Sequence, residues 1–373
     1  MLTSRRRRVD TRATLVAAGV AAPELNQVST YRSVGGVYSP PMNDTALLNE
    51  LTEVAEKLTA RHYETCKPWY PHEFVPWSMG RDFDPDTAWD GGDMPIPDAL
   101  RSALFVNLLT EDNLPYYFQT IDRMFGREGI WREWSHRWTA EEARHSIALR
   151  DFMTVTRMLD PRTLEDGRMS QMSGGQVPDP TSAVDGFMYV ALQELATRIA
   201  HRNTGRALRE HLPDHPAGEA GYELISRVAA DENFHFLFYR DLTSAALEIA
   251  PSLVVPAIER QVREFEMPGT GIPGFKRHAQ AIANAGLYNL LQHHEQILEP
   301  VVMKWWKVES LQGLTAEAEQ AREALIRQIQ RIGTAARRLA DRAREAADRA
   351  RVTLADRKAD ITATRAARPS STS

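Results

Sequence analysis

The chain has 373 residues, 43% of them apolar and 25% charged, with a net charge of −5. These are the proportions of a soluble globular protein large enough to bury a sizeable core, as one big domain or as a domain with tails. No run approaches the 18 apolar residues of a membrane span, and the single cysteine, Cys66, excludes an internal disulfide and a cysteine-ligated cluster, which fits a reducing cytoplasm.

The chain begins with SRRRR followed by the short apolar run Leu15 to Ala22. That run is too weak for an export signal, so residues 1–43 are expected to form a disordered extension. Helical periodicity then dominates. A first helix is expected from about Thr45 to Glu64, ahead of the proline-broken segment CKPWYPHEFVPW. A second runs from about Pro97 to Phe125 and stops at Gly126, and a third from Arg127 to Leu159. Residues 160–180, rich in Pro, Gly, Asp and Ser, read as a long connection. A fourth helix covers about Thr181 to Leu212 and a fifth Glu219 to Ala250. Shorter helices lead to Trp306, and a long charged helix fills Thr315 to Arg351, the end of a helical domain over 44–350. Residues 351–373 read as a disordered basic tail.

Two stretches are open to over-reading. MPGTGIPGF places Gly269, Gly271 and Gly274 at the spacing of a dinucleotide fingerprint, but no strand precedes it and two prolines interrupt it, so it is a loop. Arg322 to Arg368 carries thirteen Lys or Arg against six Asp or Glu. It reads first as a solvated helix face with a disordered basic tail and second as a surface for an acidic partner; nucleic acid fits less well, because the stretch lacks aromatic residues on which bases stack.

The chemistry lies in WTAEEARHS and AADENFHFLF. Glu142 and His145, and again Glu232 and His235, sit three residues apart, on one face of a helix. Chance gives roughly one Glu-x-x-His in such a chain. There are three, but Glu133 and His136 lie nine residues before the first pair, half a turn round the same helix, and read as a surface pair. The second helix adds Glu111 within LLTEDNLPYY, and the fourth adds Glu194 among Val190, Ala191, Leu192 and Leu195. A lone glutamate in such apolar company requires a partner or a metal. Glu111 and Glu142 lie 15 and 16 residues either side of Gly126, hence at one level, about 23 Å from the turn. Pro115 removes the amide that would bond the Glu111 carbonyl, so a kink is expected beside that carboxylate. Two Glu-x-x-His pairs and two single glutamates on four helices are what a di-metal site in a four-helix bundle uses. Four carboxylates and two imidazoles suit iron or manganese.

TEDNLP, WTAEEARH, QELATRIAHRNT and AADENFH together resemble the ligand motifs of the soluble acyl-carrier-protein desaturases, and KPWYPHEFVP and WWKVESLQGLTAEAEQA extend the resemblance over residues 45–345. It implies an all-α, ferritin-like four-helix bundle core with flanking helices and a centre of two Fe. It implies that Glu142 and Glu232 bridge the irons, with Glu111 and His145 completing one and Glu194 and His235 the other. Thr197 matches a threonine that helps deliver protons. Trp69 and Asp231 match an electron route, with Asp231 bonded to His145. The implied reaction is O2-dependent, cis desaturation of a chain on acyl carrier protein, with ferredoxin as donor and a homodimer as the assembly. Arg61, Lys67 and the basic C-terminal stretch are candidates for docking the acidic carrier. The sequence departs from the plant pattern at Ala143, Asn233 and Phe234, which lie between ligands. A catalytically silent homologue that binds an acyl carrier, or another ferritin-like di-iron oxidase, is the alternative reading.

Overall fold

The structure is a computed structural model that describes residues 42–366 except 85, 92, 93 and 176. The expected N-terminal extension lies, up to residue 41, outside the described residues, as does the tail from 367. Among the described residues every regular element is helical. The helices are α1 (Asp44–Glu50), α2 (Thr52–Thr65), α3 (Asp98–Glu111), α4 (Leu114–Phe125), α5 (Gly129–Thr156), α6 (Pro161–Gly174), α7 (Ala183–His211), α8 (Pro216–Ile249), α9 (Pro251–Glu264), α10 (Phe275–Asn284), α11 (Leu290–His293) and α12 (Ala316–Ala366). From α11 the chain continues as a π-helix over His294–Trp305. None of these helices is long and apolar enough to cross a membrane.

Four helices form the centre. α3 packs on α5 and α7, and α8 packs on α5 and α7, closing a ring of four. The longest contact is between α7 and α8, an antiparallel hairpin joined by residues 212–215. Its turn is tight because Gly218 approaches the chain at Leu212, where a side chain would strike the Leu212 carbonyl. Gly221 likewise lets α8 close on Phe152 of α5. Apolar residues fill the bundle from both ends. Leu104, Leu108, Phe152, Leu208 and Val228 belong to one core cluster, and Trp134, Phe187, Leu192, Phe238 and Tyr239 to the other.

Four boundaries differ from the sequence expectation, the first being the division of the first expected helix into α1 and α2 at Leu51. The second expected helix is broken into α3 and α4 at Asp112–Asn113, because Pro115 has no amide to continue it. Residues 160–180 are not a plain connection. Asp160 caps α6 by accepting from the amides of Arg162 and Thr163, Pro161 occupies the first helical position, and Gly175 ends the helix in the left-handed conformation. The last helix continues past Arg351 to Ala366. Gly269 to Gly274 is a loop of turns, as expected.

The start of α7 carries a buried anchor. Ser182 accepts from the Asp185 amide, while the Asp185 carboxylate receives Ser182 Oγ at 2.8 Å, Arg260 at 2.9 and 3.0 Å and Gln261 at 2.9 Å. Burial opposes ionisation here, but Arg260, Gln261 and Ser182 outweigh it and hold the carboxyl below its ordinary range. Asp185→Ala is therefore expected to lower stability at neutral pH by roughly 2–3 kcal/mol, measured by denaturant unfolding. A depressed carboxylate stabilises above its unfolded pKa, so the gap between wild type and variant should close as the pH falls through the folded value. A gap that stays constant into acid would contradict this assignment.

Candidate metal centre

Each of the four bundle helices contributes to one buried layer between the two apolar clusters. Glu111 is the last residue of α3, at the break that Pro115 imposes. Glu142 and His145 lie in α5, Glu194 in α7, and Glu232 and His235 in α8, all of them buried. The three-residue spacing turns each glutamate and histidine to the same side, and the structure brings all six sequence-predicted residues together. They form two overlapping groups, Glu111–Glu142–His145–Glu232 and Glu142–Glu194–Glu232–His235, with donor atoms within 4.8 Å of one another in each. Glu142 and Glu232 belong to both. His145 Nδ1 lies 3.5 Å from Glu111, 3.2 Å from Glu142 and 3.3 Å from Glu232. His235 Nδ1 lies 2.8 Å from Glu142 and 3.7 Å from Glu194.

The donor atoms fit a cation. Glu142 Oε1, His145 Nδ1, Glu194 Oε2 and His235 Nδ1 are buried and make no well-oriented hydrogen bond, even though Glu142 Oε1 and His235 Nδ1 are only 2.8 Å apart. The far nitrogens are held from outside: His145 Nε2 lies 3.4 Å from Asp231 Oδ2, and His235 Nε2 lies 3.0 Å from Glu141 Oε2. With Nε2–H donating to a carboxylate, each Nδ1 presents a lone pair to further carboxylates, an arrangement that metal-binding histidines share. Without a cation the charges balance by protons. Burial would lower the pKa of both imidazoles, but the surrounding carboxylates raise them well above the ordinary range. Burial and the Glu232 charge push Glu194 well up and Glu142 up as well. Burial opposes ionisation of Glu111 too, yet His145 and His201 hold it low. Dications would displace these protons. An oxygen-rich set with two imidazoles suits iron or manganese.

The expected neighbours are in reach. Trp69 Nε1 donates to Asp231 Oδ2 at 2.7 Å, and the Trp69 ring lies nearly parallel to that of His145. Arg144 and Arg227 also donate to Asp231, at 3.0 and 2.9 Å. Thr197 Oγ1 is 2.8 Å from Glu232 Oε2 and 3.0 Å from the Glu194 carbonyl oxygen, so it contacts both the centre and its own helix. Glu133 and His136 are exposed. Arg61 is engaged by Asp241 at 2.7 Å, whereas Lys67 is exposed.

Sequence reasoning missed a further set. Trp138 donates to Glu194 at 3.0 Å, and His201 Nε2 lies 2.9 Å from Glu111, with Asn107 behind it at 3.3 Å. Buried Glu141 faces His235. The signal for Glu141 was present, since each shared glutamate directly follows another acid, Glu141 before Glu142 and Asp231 before Glu232.

Known proteins share sequence and fold with this chain. The family model described as fatty acid desaturase matches residues 43–355. The chain is 38% identical over 297 residues to DesA1 of Mycobacterium tuberculosis, named for acyl-[acyl-carrier-protein] desaturase activity, covering 77% of this chain and 85% of that one. It is 29% identical over 321 residues to the chloroplastic stearoyl-[acyl-carrier-protein] 9-desaturase of Ricinus communis, covering 79% and 77%. The X-ray structure of DesA2 from Mycobacterium tuberculosis superposes with a TM-score of 0.58 at 26% identity, over 74% of this chain and 99% of that one. The all-α, ferritin-like architecture expected from the sequence is borne out.

A ligand that binds only the folded centre raises stability by mass action. Anaerobic Fe(II) should therefore raise the thermal unfolding midpoint. Glu142→Ala, which removes a member of both donor groups, should abolish the increase. Equal stabilisation of wild type and variant would place the cation elsewhere.

Proposed function

The chain belongs to the fatty acid desaturase family, and from that premise we propose that it introduces a cis double bond into an acyl chain carried on acyl carrier protein, at a di-iron centre that uses O2 and electrons from ferredoxin. It is an oxidoreductase of fatty acyl desaturation. The observation that supports the di-iron reading is the convergence of six buried residues in two overlapping donor groups, four of whose atoms, two oxygens and two nitrogens, make no well-oriented hydrogen bond. Glu142 and Glu232 would bridge the two ions, with Glu111 and His145 on one side and Glu194 and His235 on the other. Iron held there supplies the oxidising power to remove hydrogen from an unactivated methylene pair with O2. The balance is R–CH2–CH2–R′ + O2 + 2e− + 2H+ → R–CH=CH–R′ + 2H2O.

The protein's own groups have separable tasks. Trp138, which holds Glu194, also lines a narrow apolar cleft of about 30 Å3 with Tyr117, Ile121, Met124, Tyr189 and Val190. Apolar walls beside the centre support an acyl chain as substrate, because they exclude water and fix a flexible chain, and a cleft this narrow must widen to admit one. Thr197 lies where a hydroxyl can pass a proton toward Glu232. Trp69 and Asp231 link the outer side of His145 to Arg144 and Arg227, which supports an electron entry there. The sequence carries no flavin or nicotinamide motif, so the two electrons come from a partner.

The decisive experiment loads the protein with Fe(II) anaerobically, exposes it to air, and then assays acyl carriers of graded length with reduced ferredoxin. About two irons per chain, oxo-bridged ferric absorption and a monounsaturated product with one double-bond position are expected. Iron without desaturation at any length would overturn the activity, and absence of iron would overturn the centre.

Substrate length should respond to Gly186 of α7. A Cβ there would lie 2.6 Å from Met124 Cε, which forces the thioether into the cleft. Gly186→Leu is expected to shift kcat/KM toward shorter acyl chains. An unchanged length profile would place the chain elsewhere.

A further inference from the structure

One short segment covers the outer faces of both buried imidazoles. His62 lies in the last turn of α2, Cys66 ends that helix with an extended backbone, and Trp69 follows in the non-helical chain beyond it. Trp69 donates to Asp231 Oδ2 at 2.7 Å, Asp231 faces His145 Nε2 at 3.4 Å, and the Trp69 and His145 rings are 6.4 Å apart and tilted by 15°. His62 repeats the arrangement on the other side. Its Nε2 lies 2.9 Å from Glu141 Oε2, that oxygen lies 3.0 Å from His235 Nε2, and the two imidazoles are 6.0 Å apart and tilted by 22°. Cys66 sits between the halves, its thiol toward Glu141 Oε1 at 3.5 Å and Asp231 Oδ1 at 3.9 Å. The acids exchange helices: Asp231 of α8 faces His145 of α5, and Glu141 of α5 faces His235 of α8.

We propose that His62 is a positioning residue for this centre, fixing the orientation and tautomer of His235 through Glu141 as Trp69 does for His145 through Asp231. The inference rests on the di-iron reading above. Its physical basis is that Glu141 is buried and each of its oxygens already has fixed donors. Oε1 takes Arg137 at 2.5 Å, and Oε2 takes His62 and His235. Removal of His62 leaves Oε2 with His235 alone, and the carboxylate can then turn about its remaining anchor, the Arg137 contact at Oε1. The His62 ring is held edge-on by Trp134 at 5.1 Å and Phe234 at 6.2 Å, so its nitrogen is directed by packing. His62, Cys66 and Glu141 also lie close enough to suggest a separate cation site. Both Glu141 oxygens are committed to nitrogen donors, however, and burial and the neighbouring acids push the Cys66 thiol up to about 11, which keeps it protonated. The trio is a hydrogen-bonded support.

The test is an anaerobic Fe(II) titration by equilibrium dialysis, with thermal unfolding in parallel, on wild type, His62→Leu, His62→Gln and Trp69→Phe. Wild type should bind two equivalents. His62→Leu should bind one equivalent as wild type does and the other about tenfold or more weakly, and His62→Gln, which keeps a donor of similar reach, should restore it. Trp69→Phe should weaken one equivalent, and combination with His62→Leu should weaken both. Two undiminished equivalents in His62→Leu overturn the role of His62 alone. Equal weakening of both equivalents with a lowered unfolding midpoint also overturns it and makes His62 a packing residue. Absence of specific iron in wild type overturns the di-iron reading and this inference together. Should His62→Leu not fold, His62→Asn decides, because its shorter amide must lose the equivalent that His62→Gln retains.

Discussion

The structure depends on keeping four carboxylates and two imidazoles in a dry layer between two apolar clusters. Glu111, Glu142, Glu194 and Glu232 are each less than a tenth exposed, and His145 and His235 are fully buried. Unpaired charges in such a place are untenable, so the layer must be balanced by protons or by cations. The surrounding carboxylates raise the pKa of both imidazoles well above the ordinary range, yet four of the buried donor atoms make no well-oriented hydrogen bond. Four helices of different sequence position are brought to one level to build this layer. The tight α7–α8 turn, the close packing of Gly221 on Phe152 and the break at Pro115 all serve that register.

Around the layer runs a shell of donors that is more ordered than bulk packing requires. Asp231 receives Trp69, Arg144 and Arg227, and Glu141 receives Arg137 and His62, so each histidine rests on a carboxylate that is itself fixed. Trp138 and His201 do the same for Glu194 and Glu111, the two glutamates that belong to one donor group each. Fixing the outer atoms reduces the reorganisation needed when a cation binds, which is how surrounding hydrogen bonds tune metal affinity. Family membership gives this arrangement its chemistry, and a narrow apolar cleft adjoins it at Trp138.

The ligand set was legible because helical spacing makes a local pattern carry spatial meaning. Glu142 with His145 and Glu232 with His235 could be placed on one face each, and the equal distances of Glu111 and Glu142 from Gly126 matched their levels without knowledge of packing. Pro115 alone indicated a kink beside Glu111, though not the full break into α3 and α4. His62, Cys66 and His201 were not legible, since their partners lie 75 to 90 residues away and no local period links them. Glu141 was legible in principle, because an acid precedes each shared glutamate. Helix α6 was hidden by its composition, although Asp160 and Pro161 are ordinary start signals whose meaning was masked by the glycines and serines that follow.

The central claim is that two cations share Glu142 and Glu232 within this layer. Anomalous X-ray scattering at the iron absorption edge, from crystals grown anaerobically with Fe(II), locates them directly. Two peaks are expected, both in contact with Glu142 and Glu232, one beside His145 and the other beside His235. A single peak, or density away from these carboxylates, would contradict the account.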